Sequence, residues 1–118
     1  QQAPRLFAER AFLAALAQSR TTLLDPRCRA TESDFADPRH RLLYNSIQAT
    51  HHETRASGAP YGVPALLALL EREGLLPQAG GRRYVEVLAE FVAYPAPAAA
   101  LRRRFGSRAI PLNSQPST

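Results

Sequence analysis

The stretch Asp34-Phe35-Ala36-Asp37-Pro38-Arg39-His40-Arg41-Leu42-Leu43-Tyr44 decides the fold class. Asp37 can accept from the free N–H groups of a first helical turn, and Pro38 fills the position after it, where no backbone donor is needed. Beyond it Leu42, Leu43, Ser46, Ile47 and Ala49 recur on one face, which predicts a helix running to about His52. Phe35, just upstream of the cap, is placed to fold back onto Arg41, Leu42 or Leu43. A second start follows at Gly80-Gly81-Arg82-Arg83-Tyr84-Val85-Glu86-Val87-Leu88. There Tyr84, Val85, Val87, Leu88, Phe91 and Val92 make the core face of one helix ending before Pro95, with Arg82, Arg83, Glu86 and Glu90 in water. Neither start carries a nucleophile, a metal cage or a phosphate loop.

Working outward, Pro4 to Gln18 has helical apolar spacing through Leu6, Phe7, Ala11, Phe12, Leu13, Ala15 and Leu16, with Glu9 and Arg10 assigned to the opposite face. Residues 19–31 read as a packed connector in which Leu23 and Leu24 fill the core. Thr21-Thr22-Leu23-Leu24 can open a short helix there, which Pro26 interrupts. Thr31 and Asp34 have the spacing of a weak capping box. Glu53 to Val63, rich in Ser, Gly and Pro, reads as a loop. Pro64 then opens an apolar helix that must be buried on most sides. Gly74 stops it, and Leu75 and Leu76 fold back onto it. Ala98 to Phe105 predicts a last short helix, and the residues after Gly106 read as a tail. No segment alternates as a strand does, so the fold class is all-α. The folded part spans 4–97, followed by an Arg-rich short helix and tail over 98–118.

A chain of 118 residues makes one domain, and its 45% hydrophobic content is ordinary for a globular protein. At this size folding buries close to two-thirds of the surface, roughly, without the help of a disulfide or metal. Cys28 is the only cysteine, which excludes an internal bridge and fits a reducing, cytoplasmic setting. Its expected state is an inert thiol; the alternative is a thiol activated by Arg27 and Arg29. No apolar run approaches the roughly 20 residues of a membrane span. The absence of Met marks the chain as a fragment, a processed product or a trimmed chain. The net charge is +5, and all its basic side chains are Arg, a pattern that GC-rich codon usage explains. The last acid is Glu90; Arg102, Arg103, Arg104 and Arg108 follow it and are the candidate phosphate contacts.

Searching for chemistry removes most classes. His51 and His52 are adjacent, point about 100° apart on a helix and cannot share a metal. His40 has no Cys pair or acidic cluster near it in sequence. Scattered serines lie in no strand-to-helix elbow. Gly80-Gly81 lacks the spacing of a nucleotide loop, and a chain without Lys has no Walker-type site. No catalytic, metal or cofactor-binding residue is expected. Sequence-specific DNA reading is disfavoured, because most arginines interleave with acids and no aromatic stacking platform accompanies them.

The chain resembles the N-terminal domain of the DnaB-type bacterial replicative DNA helicases. The resemblance rests on Ala8-Glu9-Arg10-Ala11-Phe12-Leu13, on Asp34-Phe35 with Pro38-Arg39-His40-Arg41-Leu42-Leu43-Tyr44, and on Gly58-Ala59-Pro60. It continues in Leu70-Glu71-Arg72-Glu73-Gly74-Leu75-Leu76 and in Gly80-Gly81 through Leu88. Each motif is weak alone; their order and spacing over residues 4–97 are specific. The chain departs from the family at Gly62-Val63-Pro64-Ala65, where an Asp cap and a Thr-Val pair are usual. It departs again after Pro97, where the family continues into a long helical hairpin.

The resemblance implies a compact multi-helix orthogonal bundle of the replicative-helicase N-terminal type, acting in DNA replication as a non-catalytic assembly domain. It implies self-association as a dimer or higher, docking of primase or a helicase loader, and only weak or indirect DNA contact. ATP and Mg would be needed only in a separate motor domain. Two other readings are a stand-alone accessory protein of this fold and a basic DNA-binding module. Interfaces favour Arg and Tyr, so the partner-facing candidates are Arg39, Arg41, Tyr61, Arg82, Arg83 and Tyr94. Phe35, Tyr44, Tyr84 and Leu88 are expected in the core, with the tyrosine hydroxyls reaching the surface or a partner.

Overall fold

The computed structural model describes residues 2–91 together with Ala100 and Arg102. Among the described residues there is no strand. Helix α1 spans Gln2–Gln18, α2 Arg20–Leu24, α3 Pro38–Ser57, α4 Val63–Arg72 and α5 Arg82–Glu86. Single 3-10 turns occupy Pro26–Cys28, Glu32–Asp34 and Val87–Glu90. Helix α1 is the centre of the bundle: α2, α3, α4 and the Val87–Glu90 turn pack around it, while α4 rests on α3 and α5.

That central position corrects the first assignment of faces. Every residue from Ala11 to Ala17 is buried, so this part of α1 has no wet side. Glu9, assigned to the solvent face, is fully enclosed. The predicted connector at 19–31 is α2 plus a 3-10 turn, with Ser19 accepting from the Thr22 N–H and Asp25 from the Arg27 N–H. Leu23 fills the core as expected, but Leu24 is 56% exposed.

Asp37 caps α3 by accepting from the Arg39 N–H at 2.8 Å. Arg41 donates to the Phe35 carbonyl at 2.7 Å, so the segment before the cap is held by a guanidinium as well as by apolar contact. The helix does not stop near His52. It runs to Ser57 and ends at Gly58, which takes a φ of 79°. Residues 53–57 hold neither Pro nor Gly, so nothing in them breaks a helix. At Glu32–Asp34 the Asp34 carboxylate accepts from the Thr31 N–H at 2.8 Å, as the spacing predicts.

The glycine stop after α4 has the expected form: Gly74 has a φ of 71° and the Leu75 N–H reaches back to the Leu70 carbonyl at 2.8 Å. A similar closure follows, with the Gly81 N–H on the Leu76 carbonyl at 2.8 Å. The long helix expected after Gly80-Gly81 is instead a five-residue α5 followed by a 3-10 turn. The reason lies in α1. Arg10 donates to the Tyr84 carbonyl at 2.7 Å, and Gln18 donates to the carbonyls of Leu88 and Phe91 at 2.5 and 2.7 Å. Side chains of another helix thus hold carbonyls that a continuing helix would use. Val92 and the end expected before Pro95 lie outside the described residues, as does most of the predicted helix over 98–105.

Candidate docking site

Glu9, His40 and Tyr84 come from α1, α3 and α5 and meet in a chain of hydrogen bonds. His40 Nδ1 lies 2.9 Å from Glu9 Oε1, and His40 Nε2 lies 2.7 Å from the Tyr84 hydroxyl. Glu9 Oε2 accepts from the Ala36 N–H at 2.8 Å. Glu9 and His40 are both 0% exposed. The arrangement looks like a relay, yet its outer end, the tyrosine ring, is covered on both sides. The Arg10 guanidinium sits 3.6 Å from the ring centroid and that of Arg39 4.4 Å from it. Burial pushes the Tyr84 phenol up, with Arg39 and Arg10 pulling the other way. The network ties three helices together rather than facing a substrate.

Two other tyrosines also bond inside. Tyr44 donates to the Ala30 carbonyl at 2.6 Å, and Tyr61 donates to the Leu16 carbonyl at 2.5 Å. The expectation that these hydroxyls reach outward is therefore overturned: buried phenols took backbone acceptors that the packing left open. Burial raises the pKa of both. Phe35, Tyr44 and Leu88 are core residues as expected, and Tyr84 is partly buried against that core.

Of the partner-facing candidates, Arg39 pairs with Asp37 at 2.7 Å, a hydrogen-bonded pairing that holds the Asp37 carboxyl low. Arg41 is partly buried on the Phe35 and Ala36 carbonyls. Tyr61 is partly buried beside Arg20 and His51. Arg82 and Arg83 are exposed at α5, Arg82 paired with Glu71 and Glu86 and Arg83 near Glu90. Tyr94 lies outside the described residues, as do Arg103, Arg104 and Arg108. Arg102 is described and is anchored: it donates to the Arg29 carbonyl at 2.7 Å and to the Asp34 carboxylate at 2.9 Å. Cys28 is buried, and that burial pushes its thiol up despite Arg27. No group of three or more metal-ligating side chains converges among the described residues.

The surface feature that sequence reading missed lies between the second half of α3 and α4. An open groove of about 790 Å³ runs there, lined by Thr50, Thr54, Pro60, Ala65, Ala68 and Leu69 among others. Its lining is mostly apolar. A smaller hollow of about 270 Å³ shares Glu53, Leu69 and Arg72 with it and extends toward Leu42 and Leu75. Arg72 reaches Glu53 at 2.5 Å across this boundary. The signal was present in α4: of its nearly all-apolar residues, Pro64 and Ala68 are exposed and Ala65 and Leu67 only partly covered. The helix expected to be buried on most sides is apolar beyond what its own fold covers.

The family model described as DnaB-like helicase N terminal domain matches residues 2–103. No curated protein and no solved structure matches the chain significantly. No helix among the described residues is long and apolar enough to cross a membrane.

Proposed function

The chain belongs to the DnaB-like helicase N-terminal domain family, and from that membership we propose that it is an assembly domain acting in DNA replication, with no chemistry of its own. The match is to a helicase's N-terminal domain and not to its ATPase domain. In this reading ATP and Mg serve a separate motor domain, and the work of this one is done in the cytoplasm by its outer surface. The observation that carries the reading is the α3–α4 groove: a wide, mostly apolar channel beside a closed core, whose two ionisable lining groups, Glu53 and Arg72, pair with each other. Such a patch on a small domain marks a place where another protein sits.

The first occupant we assign is a second copy of this chain, since two-fold self-association is the commonest arrangement of soluble oligomers. Primase or a helicase loader would dock on the assembled form. Arg82, paired with Glu71 at the end of α4, and its exposed neighbour Arg83 would help to select such a partner. Analytical ultracentrifugation across a micromolar range tests this. The wild-type chain should self-associate, and Ala68→Arg should shift it to monomer while its far-UV circular dichroism is unchanged. A wild-type chain that stays monomeric throughout, or a variant that associates as well as wild type, would refute the groove as the contact.

A further inference from the structure

Most described arginines are neutralised where they stand. Arg27 lies on Asp25, Arg39 on Asp37, Arg72 on Glu53 and Glu73, Arg82 on Glu71 and Glu86, and Arg83 near Glu90. Arg10 and Arg41 direct their guanidinium groups at backbone carbonyls. Three arginines have neither a carboxylate nor a backbone carbonyl as partner among the described residues. Arg20 donates only to neutral groups, His51 Nδ1 at 3.0 Å and Thr54 Oγ1 at 2.6 Å. Arg29 and Arg55 are exposed and have no carboxylate partner among the described residues.

These three arginines share one side of the molecule. Arg20 touches His51, and both Arg55 and His52 lie close enough to act electrostatically on that imidazole. Gln48, His52 and Arg55 stand four and then three residues apart on α3, the spacing of a single helix face. Gln48 also lines a hollow with Arg29, Leu24 and Pro26 of the α2 segment. A strip thus runs from Arg29 past Gln48 to His52 and Arg55, with Arg20 on its flank. From Gln48 to Arg55 alone it covers roughly 10 Å of helix. At the Arg29 end, Arg102 is fixed to the Arg29 carbonyl. Asp25 and Asp34, acids at this end, are paired with Arg27 and Arg102.

We infer that this α2–α3 face binds the phosphodiester backbone of a nucleic acid, without reading sequence. The chemistry favours phosphate over a protein partner. The strip offers guanidinium, imidazole and amide donors, the groups that bind phosphate oxygens. Its one large exposed apolar side chain, Leu24, sits at the Arg29 end, whereas the groove on the other side of α3 is apolar along most of its lining, as a protein interface needs. No aromatic side chain is exposed along it to stack on bases, so contact would be electrostatic and salt-dependent. The two faces of one helix would then divide the work, one side meeting protein and the other passing the charged strand.

Fluorescence anisotropy of the whole chain with a labelled oligo-dT strand, titrated between 50 and 200 mM salt, tests the inference at concentrations where the chain is in one oligomeric state. Two double variants remove equal charge: Arg29→Ala with Arg55→Ala on the strip, and Arg82→Ala with Arg83→Ala on α5. If each strip arginine meets one phosphate, losing both should lower the slope of log affinity against log salt by about 1.4 for a single strand. The α5 pair should leave that slope unchanged. Equal losses in both variants would mean that only net charge matters, and would overturn the assignment. So would an unaltered slope in the strip variant, which would put the contact elsewhere in the chain. Polyglutamate of matched charge competing as well as the oligonucleotide would reassign the strip to an acidic protein.

Discussion

Glu9 has no exposed surface, and His40 and the Ala36 N–H both hydrogen-bond to its side chain in the core. Removing one partner leaves a buried polar group short of a hydrogen bond, at a cost of about 1–3 kcal/mol. His40→Leu should lose that much in urea unfolding, whereas Tyr84→Phe, which deletes one hydroxyl, should lose about 1–2 kcal/mol. A second residue-scale effect concerns His51. Its imidazole is buried, and Arg20, His52 and Arg55 add positive charge around it, so its folded pKa lies below the ordinary 6.5. The unfolded chain then binds more protons near that pH, and stability complete above it is lost as pH falls toward the folded value. Denaturant midpoints should therefore begin to decline as pH falls below about 6.5. His51→Gln should flatten that decline; an unchanged slope would show that another group causes it.

At the scale of elements, α5 owes its shortness to α1. Gln18 and Arg10 hold carbonyls of Tyr84, Leu88 and Phe91. Gln18→Ala should free the Val87–Glu90 turn, costing about 1–2 kcal/mol and speeding amide exchange there while α3 keeps its protection. Gly80 is constrained in a different way. Its φ is 105°, and an added Cβ would come 2.7 Å from the Tyr84 ring. Gly80→Ala combines backbone strain with that collision and should cost about 1–3 kcal/mol, more than the same change at Gly58, where the space is open. Thermal melts of the two variants check the order.

For the whole molecule, the apolar content exceeds what one copy can cover. Among the described residues, the groove beside α4 and the exposed side chains of Phe7 and Leu24 stay uncovered. If a second copy covers the groove, apparent melting temperature should rise with protein concentration, because association stabilises the folded form by mass action. Ala68→Arg should remove that dependence without lowering the melting temperature at low concentration. A melt independent of concentration in the wild-type chain would count against the assembly reading.

Local chemistry was legible in the chain itself. Asp37-Pro38 marks a helix start and Gly74 a stop because caps and glycine angles depend on neighbouring backbone alone. The helical spacing, the all-α class and the family motifs are likewise properties of residue order. What surrounds a helix is not. Glu9 reads as a surface residue until α3 and α5 close over it, and the Tyr61 hydroxyl reads as reaching outward until the Leu16 carbonyl receives it. The α5 break, the groove and the uncancelled Arg20–Arg29–Arg55 strip arise from residues brought together across long separations. Burial and net local charge are sums over such neighbours, so only the packed chain decides them.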